Sequence, residues 1–278
     1  RALGTKRNRT LEMICKGGVK LPGIKEPQQR VFSPYQCSQE QQAFLLEKWL
    51  PDMINKGVVA RSTRPAIVSP IFLRPKATGG YRVCIDLRYL NKHVKASSFK
   101  HETIDNLIPL LQHNDQLITL DIEDGFYHIP VRAQDRPYLA FQIPGTEGFW
   151  EFCSMPFGLN VSPWAFHQLM AAAMTHIRSS IHHRNNFYVD DLLFLFRPED
   201  DIKHKMQQIL ESFRDLGLKV NLKKSNLKPS PKKEYLGFKI DTSSWTILLP
   251  KRKARALTRD IKHLLRTSLH TAPTKVLQ

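Results

Sequence analysis

Several things are missing from this chain. Its 278 residues include four cysteines, Cys15, Cys37, Cys84 and Cys153, and no two form a CxxC pair. That argues against a cysteine-built zinc site and a disulfide framework, and it fits a reducing compartment. No run approaches the roughly eighteen uncharged apolar residues of a membrane-spanning helix, so no membrane partner is expected. The start has neither an apolar leader-like segment nor an initiator Met, which reads as a piece of something longer. No GxSxG or HExxH spacing occurs and the 11 histidines are scattered, so no Ser-centred triad or zincin helix is suggested. Acidic residues are also few, 25 against 42 Lys plus Arg, a net charge of +17. From Lys219 onward 15 basic residues stand against 3 acidic ones, so +12 of that charge lies there. Such a surface expects a polyanion, nucleic acid first; the bland counterpart is a solvated basic face.

What is present reads as mixed strands and helices without a regular βαβ repeat, hence α+β. Residues 1–38 lack periodicity and read as a basic N-terminal extension. EQQAFLLEKWLPDMIN (40–55) reads as a helix that Pro51 kinks or breaks. GVVARSTRPAIVSPIFLRPK and YRVCIDLRYLN read as strands around an ATGG turn, QLITLDI as a strand carrying Asp121, and LAFQIP and FWEFCSM as a pair. SPWAFHQLMAAAMTHIR reads as a buried helix with Ser162 as N-cap and Pro163 at its first position. A second helix is striped by Ile202, Met206, Ile209, Leu210, Phe213 and Leu216 and closed by Gly217. EYLGFKID and WTILLP read as strands. RKARALTRDIKHLLRTSL then reads as an amphipathic helix, Leu257, Ile261, Leu264 and Leu265 on one face and Arg255, Arg259, Lys262 and Arg266 on the other.

The chemistry lies in FYVDDLLFLF (187–196), where Asp190 and Asp191 sit between apolar, aromatic runs. An Asp-Asp turn by itself is usually only a solvated turn. Here the turn joins two core strands, and buried charge beside charge is costly. Asp121 ends another apolar strand, and neighbouring strands could bring all three carboxylates together. Hard divalent cations take oxygen ligands, and a pair of them serves in-line phosphoryl transfer. That would account for the carboxylates and the basic surface together.

These segments resemble the reverse transcriptases. FYVDD is similar to the family's Tyr-x-Asp-Asp motif, LDIEDGFYHIPV (120–131) to its first metal-binding strand, and MPFGLNVSPWAF (155–166) to the loop and helix beside the incoming nucleotide. YRVCIDLRYLN (81–91) resembles the fingers strand, and GLKVNLKKSNL (217–227) and EYLGFKID (234–241) the elements after the Asp-Asp hairpin. The resemblance implies an α+β right-hand polymerase with fingers, palm and the start of a thumb, its antiparallel palm sheet backed by helices. Fingers are expected at 39–114 and 136–154, palm at 115–135 and 155–243, and thumb start at 244–278. It implies templated DNA synthesis with two Mg²⁺ ions (or Mn²⁺), a primed RNA or DNA template and dNTPs as partners, and a cytoplasmic or nuclear location.

Carried over by position, Asp121, Asp190 and Asp191 are metal ligands, joined by the Ile122 carbonyl, and Lys224 (or its neighbour Lys223) is the acid for the leaving pyrophosphate. Lys76 and Arg82 are expected on the triphosphate. Phe126 falls under the sugar, where its ring would exclude a 2′-hydroxyl. Phe157 stands where some retroviral enzymes have Gln, which leaves it an apolar role. Tyr188, Leu236 and Gly237, with Arg255, Arg259 and Lys262, are expected on primer and template. Within the family, HIPV, SFKHETI and EYLGFKIDTSSWTILLPKRKARAL are most similar to tyrosine-recombinase (DIRS-like) retrotransposons, with Gypsy-like elements and hepadnaviruses as neighbours. A ribonuclease H domain is not expected within 278 residues. The competing expectations are a catalytically inactive nucleic-acid-binding remnant and an RNA-dependent RNA polymerase.

Overall fold

Strands form where β-branched and aromatic residues cluster, and helices where apolar residues recur every three to four positions. The computed structural model describes residues 17–24, 29–76, 79–96 and 98–266. Much of the N-terminal extension, part of the ATGG turn and the tail after Arg266 lie outside them. The chain divides into two units.

The first unit comprises Arg1–His101, Ile122–Ile177 and Glu211–Lys219. Its five-stranded sheet contains β1 (Arg30–Val31), β2 (Val59–Ser62), β3 (Ile67–Val68), β7 (Ala140–Phe141) and β8 (Phe149–Phe152), in the order β1-β3-β7-β8-β2. In the described part of the N-terminal extension, β1 pairs parallel with β3, and Val19 and Leu21 are buried. Strands β4 (Ile71–Pro75) and β5 (Tyr81–Ile85) form an antiparallel hairpin. Helix α1 (Gln39–Ala43), a π-helical stretch (Phe44–Trp49) and α2 (Leu50–Asn55) run on as one rod, with α3 (Arg88–Asn91) further along. Pro51 therefore does not break the helix. The widened turn before it lets Leu50 donate its N–H to the Leu45 carbonyl, which makes room for a residue without an N–H. Helix α5 (Ser162–Ser180) buries Ala165, Phe166, Met170, Ala173, Met174 and Ile177. Ser162 does not act as the expected acceptor cap; its hydroxyl donates to the Pro156 carbonyl.

The second unit comprises Glu102–Asp121, Arg178–Leu210 and Val220–Gln278. After α4 (Ile104–Leu107), an antiparallel sheet forms from β6 (Gln116–Asp121), β9 (Arg184–Tyr188), β10 (Asp191–Phe196) and β11 (Asn226–Ser230), in the order β11-β6-β10-β9. Strand β10 is central, and Leu192 through Phe196 are all buried, as an uninterrupted apolar run requires. Helix α6 (Ile202–Asp215) begins in this unit and its residues from Glu211 belong to the first; Met206, Ile209 and Phe213 are buried, whereas Leu216 beyond its end is exposed. A three-stranded meander, β12 (Lys232–Tyr235), β13 (Phe238–Asp241) and β14 (Thr246–Leu248), packs Tyr235 and Ile240 into one core with Leu107, Leu117, Leu193 and Leu195. Helix α7 (Lys251–Arg266) carries the expected basic face, but its apolar stripe is open: Leu257, Ile261 and Leu265 are exposed.

Candidate active site

The register of the second sheet places the acids. Asp191, first residue of β10, pairs directly with Asp121, last residue of β6. Directly opposed residues share one face of a sheet with Cβ atoms about 5 Å apart, and like charges there repel. Partial burial, then the charges of Asp190 and Asp121, push the Asp191 carboxyl above the ordinary aspartate value, with Lys224 pulling the other way. The Lys224 ammonium lies 3.5 Å from Asp121 Oδ1. Backbone bonds fix the strand end: the Asp121 N–H donates to Ser225 Oγ at 3.1 Å, and its carbonyl accepts from Asn221 at 2.8 Å.

Asp190 occupies the tight turn between β9 and β10. Tyr188 pairs with Asp191, so Val189 and Asp190 are the two loop residues. Val189 has φ +54, a conformation that a β-branched side chain rarely adopts and that costs about 1–3 kcal/mol. The buried strands on either side hold it there. The expected gathering of three carboxylates is made in part. Asp121 and Asp191 are opposed and Asp190 acts on Asp191 by charge from the turn. Among the described residues no group of three or more His, Cys, Asp or Glu is close enough to cage an ion. Turn residues are not held in the strand pleat, and Mg²⁺ commonly takes one or two carboxylates with waters and phosphates completing its shell. An oxygen-only pair of opposed acids suits such an ion.

The same cleft, about 230 Å³, is lined by Asp121, Asp191, Lys224, Tyr235, Leu236 and Gly237 among others. Leu236 and Gly237 form the β12–β13 turn, and both have positive φ (+48 and +76), as a type I′ hairpin turn demands. Tyr188 is exposed at the end of β9. Arg255, Arg259 and Lys262 line one face of α7 with Lys251 and His263.

Residues that sequence reasoning missed hold these strands. Tyr235 donates its hydroxyl to Asn186 Oδ1 at 2.8 Å, and burial drives its phenol pKa strongly upward. Glu102 accepts the Arg178 guanidinium at 2.8 Å and the Phe187 N–H at 3.1 Å, tying β9 at its outer edge. Arg184 forks onto the fully buried Asp115 at 2.7 and 2.8 Å. These partners are remote in sequence, and although Glu102 lies in SFKHETI and Tyr235 in EYLGFKID, neither segment signals the pairing.

In the first unit, Ile122 is buried and Phe126 follows in a short 3₁₀ turn. The Phe126 ring sits 4.8 Å from that of Phe157 and 5.7 Å, edge-on, from that of Phe166. Gly125 lets this happen: a Cβ there would lie 2.7 Å from Phe166 Cζ. Phe166 is fully buried, whereas Phe157 is 49% exposed, so one side of the ring pair is open. On the β4–β5 hairpin, Arg82 and Lys76 are exposed, and Arg82 pairs across the ladder with Arg74, a third cation missed in the sequence. Like charges so placed suit an anion.

Comparison with known proteins gives this geometry its context. Residues 74–240 match the family model described as reverse transcriptase (RNA-dependent DNA polymerase). The Transposon Tf2-7 and Tf2-3 polyproteins of Schizosaccharomyces pombe (strain 972 / ATCC 24843) are 25% and 26% identical over 198 residues, 70% of this chain and 14% of theirs. This chain thus spans about a seventh of the length of those relatives. Two structures share its fold at 22% identity. The foamy viral protease-reverse transcriptase dRH in complex with double-stranded DNA has a TM-score of 0.64 over 95% of this chain and 42% of that one. The foamy viral protease-reverse transcriptase in complex with double-stranded DNA gives 0.67 over 88% and 47%. The fold is therefore the mixed α and β, antiparallel-sheet architecture of reverse transcriptase polymerase domains. With its opposed carboxylates at a Tyr-Val-Asp-Asp turn, this retroelement-related chain belongs to the reverse transcriptase (RNA-dependent DNA polymerase) family.

Proposed function

We propose that this chain carries out template-directed DNA synthesis, adding dNTPs to a primer 3′ end on RNA or DNA. The observation that carries the reading is the in-register opposition of Asp121 and Asp191 beside the strained Val189–Asp190 turn. Asp121, Asp191, Asp190 and the Ile122 carbonyl are the groups that would hold two Mg²⁺ ions. Such ions, when bound, activate the primer hydroxyl and neutralise phosphate charge. Arg82 and Lys76, with Arg74, hold the triphosphate by charge-assisted hydrogen bonds. Lys224 Nζ gives its proton to the leaving pyrophosphate. Phe126, backed by Phe157, fills the space a 2′-hydroxyl would need. Leu236, Gly237 and Tyr188 orient the primer end, and Arg255, Arg259 and Lys262 follow the duplex backbone, which makes binding salt-dependent. In this reading, residues 39–114 and 136–154 are fingers, 115–135 and 155–243 palm, and 244–278 the thumb's start. The work is intracellular, cytoplasmic or nuclear, where dNTPs and template are found. HIPV and SFKHETI support an origin in a DIRS-like element.

Primer extension on poly(rA)/oligo(dT) with dTTP and Mg²⁺ tests this, beside Asp190→Asn and a UTP control. The expected result is extension with dTTP, little with UTP, and a loss of about a thousandfold or more in Asp190→Asn. Duplex binding without extension by the intact chain would overturn the catalytic reading.

A further inference from the structure

Two nitrogens of one half-buried ring, that of His128, tie down the turn that carries Phe126. Asp124 enters that turn with φ +52, and the 3₁₀ segment Gly125–His128 completes it. Both ends of the turn are tied to Lys219, two residues beyond Gly217, where the chain leaves α6 with φ +73. The Glu123 N–H donates to the Lys219 carbonyl at 2.8 Å. The Lys219 ammonium donates to Glu123 Oε1 at 2.9 Å. The Lys219 backbone N–H donates to His128 Nε2 at 3.1 Å.

That last bond identifies the proton's place on the ring. A backbone N–H needs a lone pair to bond to, so Nε2 is bare. The ring proton is then on Nδ1, which lies 3.2 Å from the Gly125 carbonyl and donates to it. His128 is thereby committed on both sides, to the residue before Phe126 and to an amide far along the chain. Burial favours the neutral ring this requires and Lys219 adds to it, against the opposing influence of the Gly125 carbonyl, Asp124 and Glu123. Asp124 is itself bonded to Lys56 at 3.1 Å. A doubly protonated ring would set N–H against N–H at Lys219.

We propose that His128 is a positioning residue for sugar selection. Through Lys219 it fixes the 123–128 turn so that the Phe126 ring stays lodged between Phe157 and Phe166. The inference rests on the reading of Phe126 as the residue that excludes the 2′-hydroxyl. Neither partner of the lock touches the reacting atoms; both act through Phe126.

The test compares single-nucleotide extension with a dNTP and the matching NTP for the intact chain, His128→Ala, His128→Gln, Lys219→Ala and Phe126→Ala. Hydrogen exchange at the Lys219 amide is followed in parallel. His128→Ala should lower the dNTP-over-NTP ratio of kcat/KM roughly tenfold, the scale of one lost hydrogen bond, and speed Lys219 exchange by a similar factor. His128→Gln should restore both, since its amide can donate to Gly125 and accept from Lys219. Lys219→Ala keeps both backbone bonds and should shift the ratio less than about threefold. If circular dichroism shows His128→Ala unfolded, His128→Met fills the volume without either bond and takes its place. Relaxed selection in Phe126→Ala with an unchanged ratio in His128→Ala overturns the lock and leaves the Phe126 reading standing. An unchanged ratio in Phe126→Ala overturns that reading, and the sugar-selection role of His128 with it.

Discussion

The β9–β10 hairpin and the turn after β6 are both short, both carry a residue at positive φ, and are held by different physics. The hairpin is fixed by strand register: Asp191 faces Asp121 on one side and Tyr188 on the other, with five buried residues behind it. Its conformation is over-determined, which is how Val189 can be kept at φ +54. The 123–128 turn has no ladder. It depends on three rings, a missing Cβ at Gly125 and a few single hydrogen bonds. Rigid strands therefore carry the charges, and an adjustable aromatic turn carries Phe126, the ring proposed to exclude the 2′-hydroxyl.

The strongest way to sharpen this contrast is to remove charge from the hairpin region. Asp121→Asn or Asp191→Asn should cut primer extension about a thousandfold or more while leaving the fold intact. Chemical denaturation should show unchanged or slightly higher stability, by at most about 1 kcal/mol, because opposed like charges are relieved. A clear loss of stability would mean that the carboxylates support the sheet.

Breaking the frame under the hairpin should act the other way. Arg184→Ala strands the buried Asp115 carboxylate, which loses two charge-assisted bonds. We expect a loss of about 3–5 kcal/mol in urea unfolding. A loss below about 1 kcal/mol would show that the strand order does not depend on this pair.

The turn should respond more gently, by repacking. Gly125→Ala puts a Cβ against the fully buried Phe166 ring, for a cost of about 1–3 kcal/mol. The dNTP-over-NTP ratio should fall with it, because Phe126 must shift. Full stability with unchanged selection would mean that the missing Cβ does not hold the turn, and a loss well above about 3 kcal/mol that the turn is as rigid as the hairpin; either result breaks the contrast.

Much of the fold was legible because its signals are local. The alternations and apolar runs at 71–75, 116–121 and 187–196 became strands, and the stripes from Ser162 and Ile202 became helices. The carboxylates were legible because charge inside an apolar run needs a reason. Long-range partners were not. Glu102 reaches the Phe187 amide, Tyr235 reaches Asn186 and His128 reaches the Lys219 amide, each across dozens of residues, and no periodicity encodes such pairs. Local rules also lost where tertiary contacts competed. Ser162 bonds backward to Pro156 instead of capping its helix, and Pro51 sits in a helix whose preceding turn widened to admit it. The described part of the N-terminal stretch shows no pattern because it supplies only a two-residue edge strand and two separate buried side chains, Val19 and Leu21. The stripe of α7 is legible as amphipathic, yet amphipathicity says nothing about what covers it.

Glu102 has a consequence for how this protein behaves at high concentration. Strand β9 ends the sheet order, and an edge strand with free N–H groups invites pairing with another chain. Glu102 occupies the outward Phe187 amide and brings Arg178 alongside, and with Asn185, Asn186 and Phe187 all buried this edge is closed to a neighbouring strand. The side chain that steadies the Tyr-Val-Asp-Asp hairpin thus also guards the colloidal state of the molecule, so its loss should surface first as insolubility during expression.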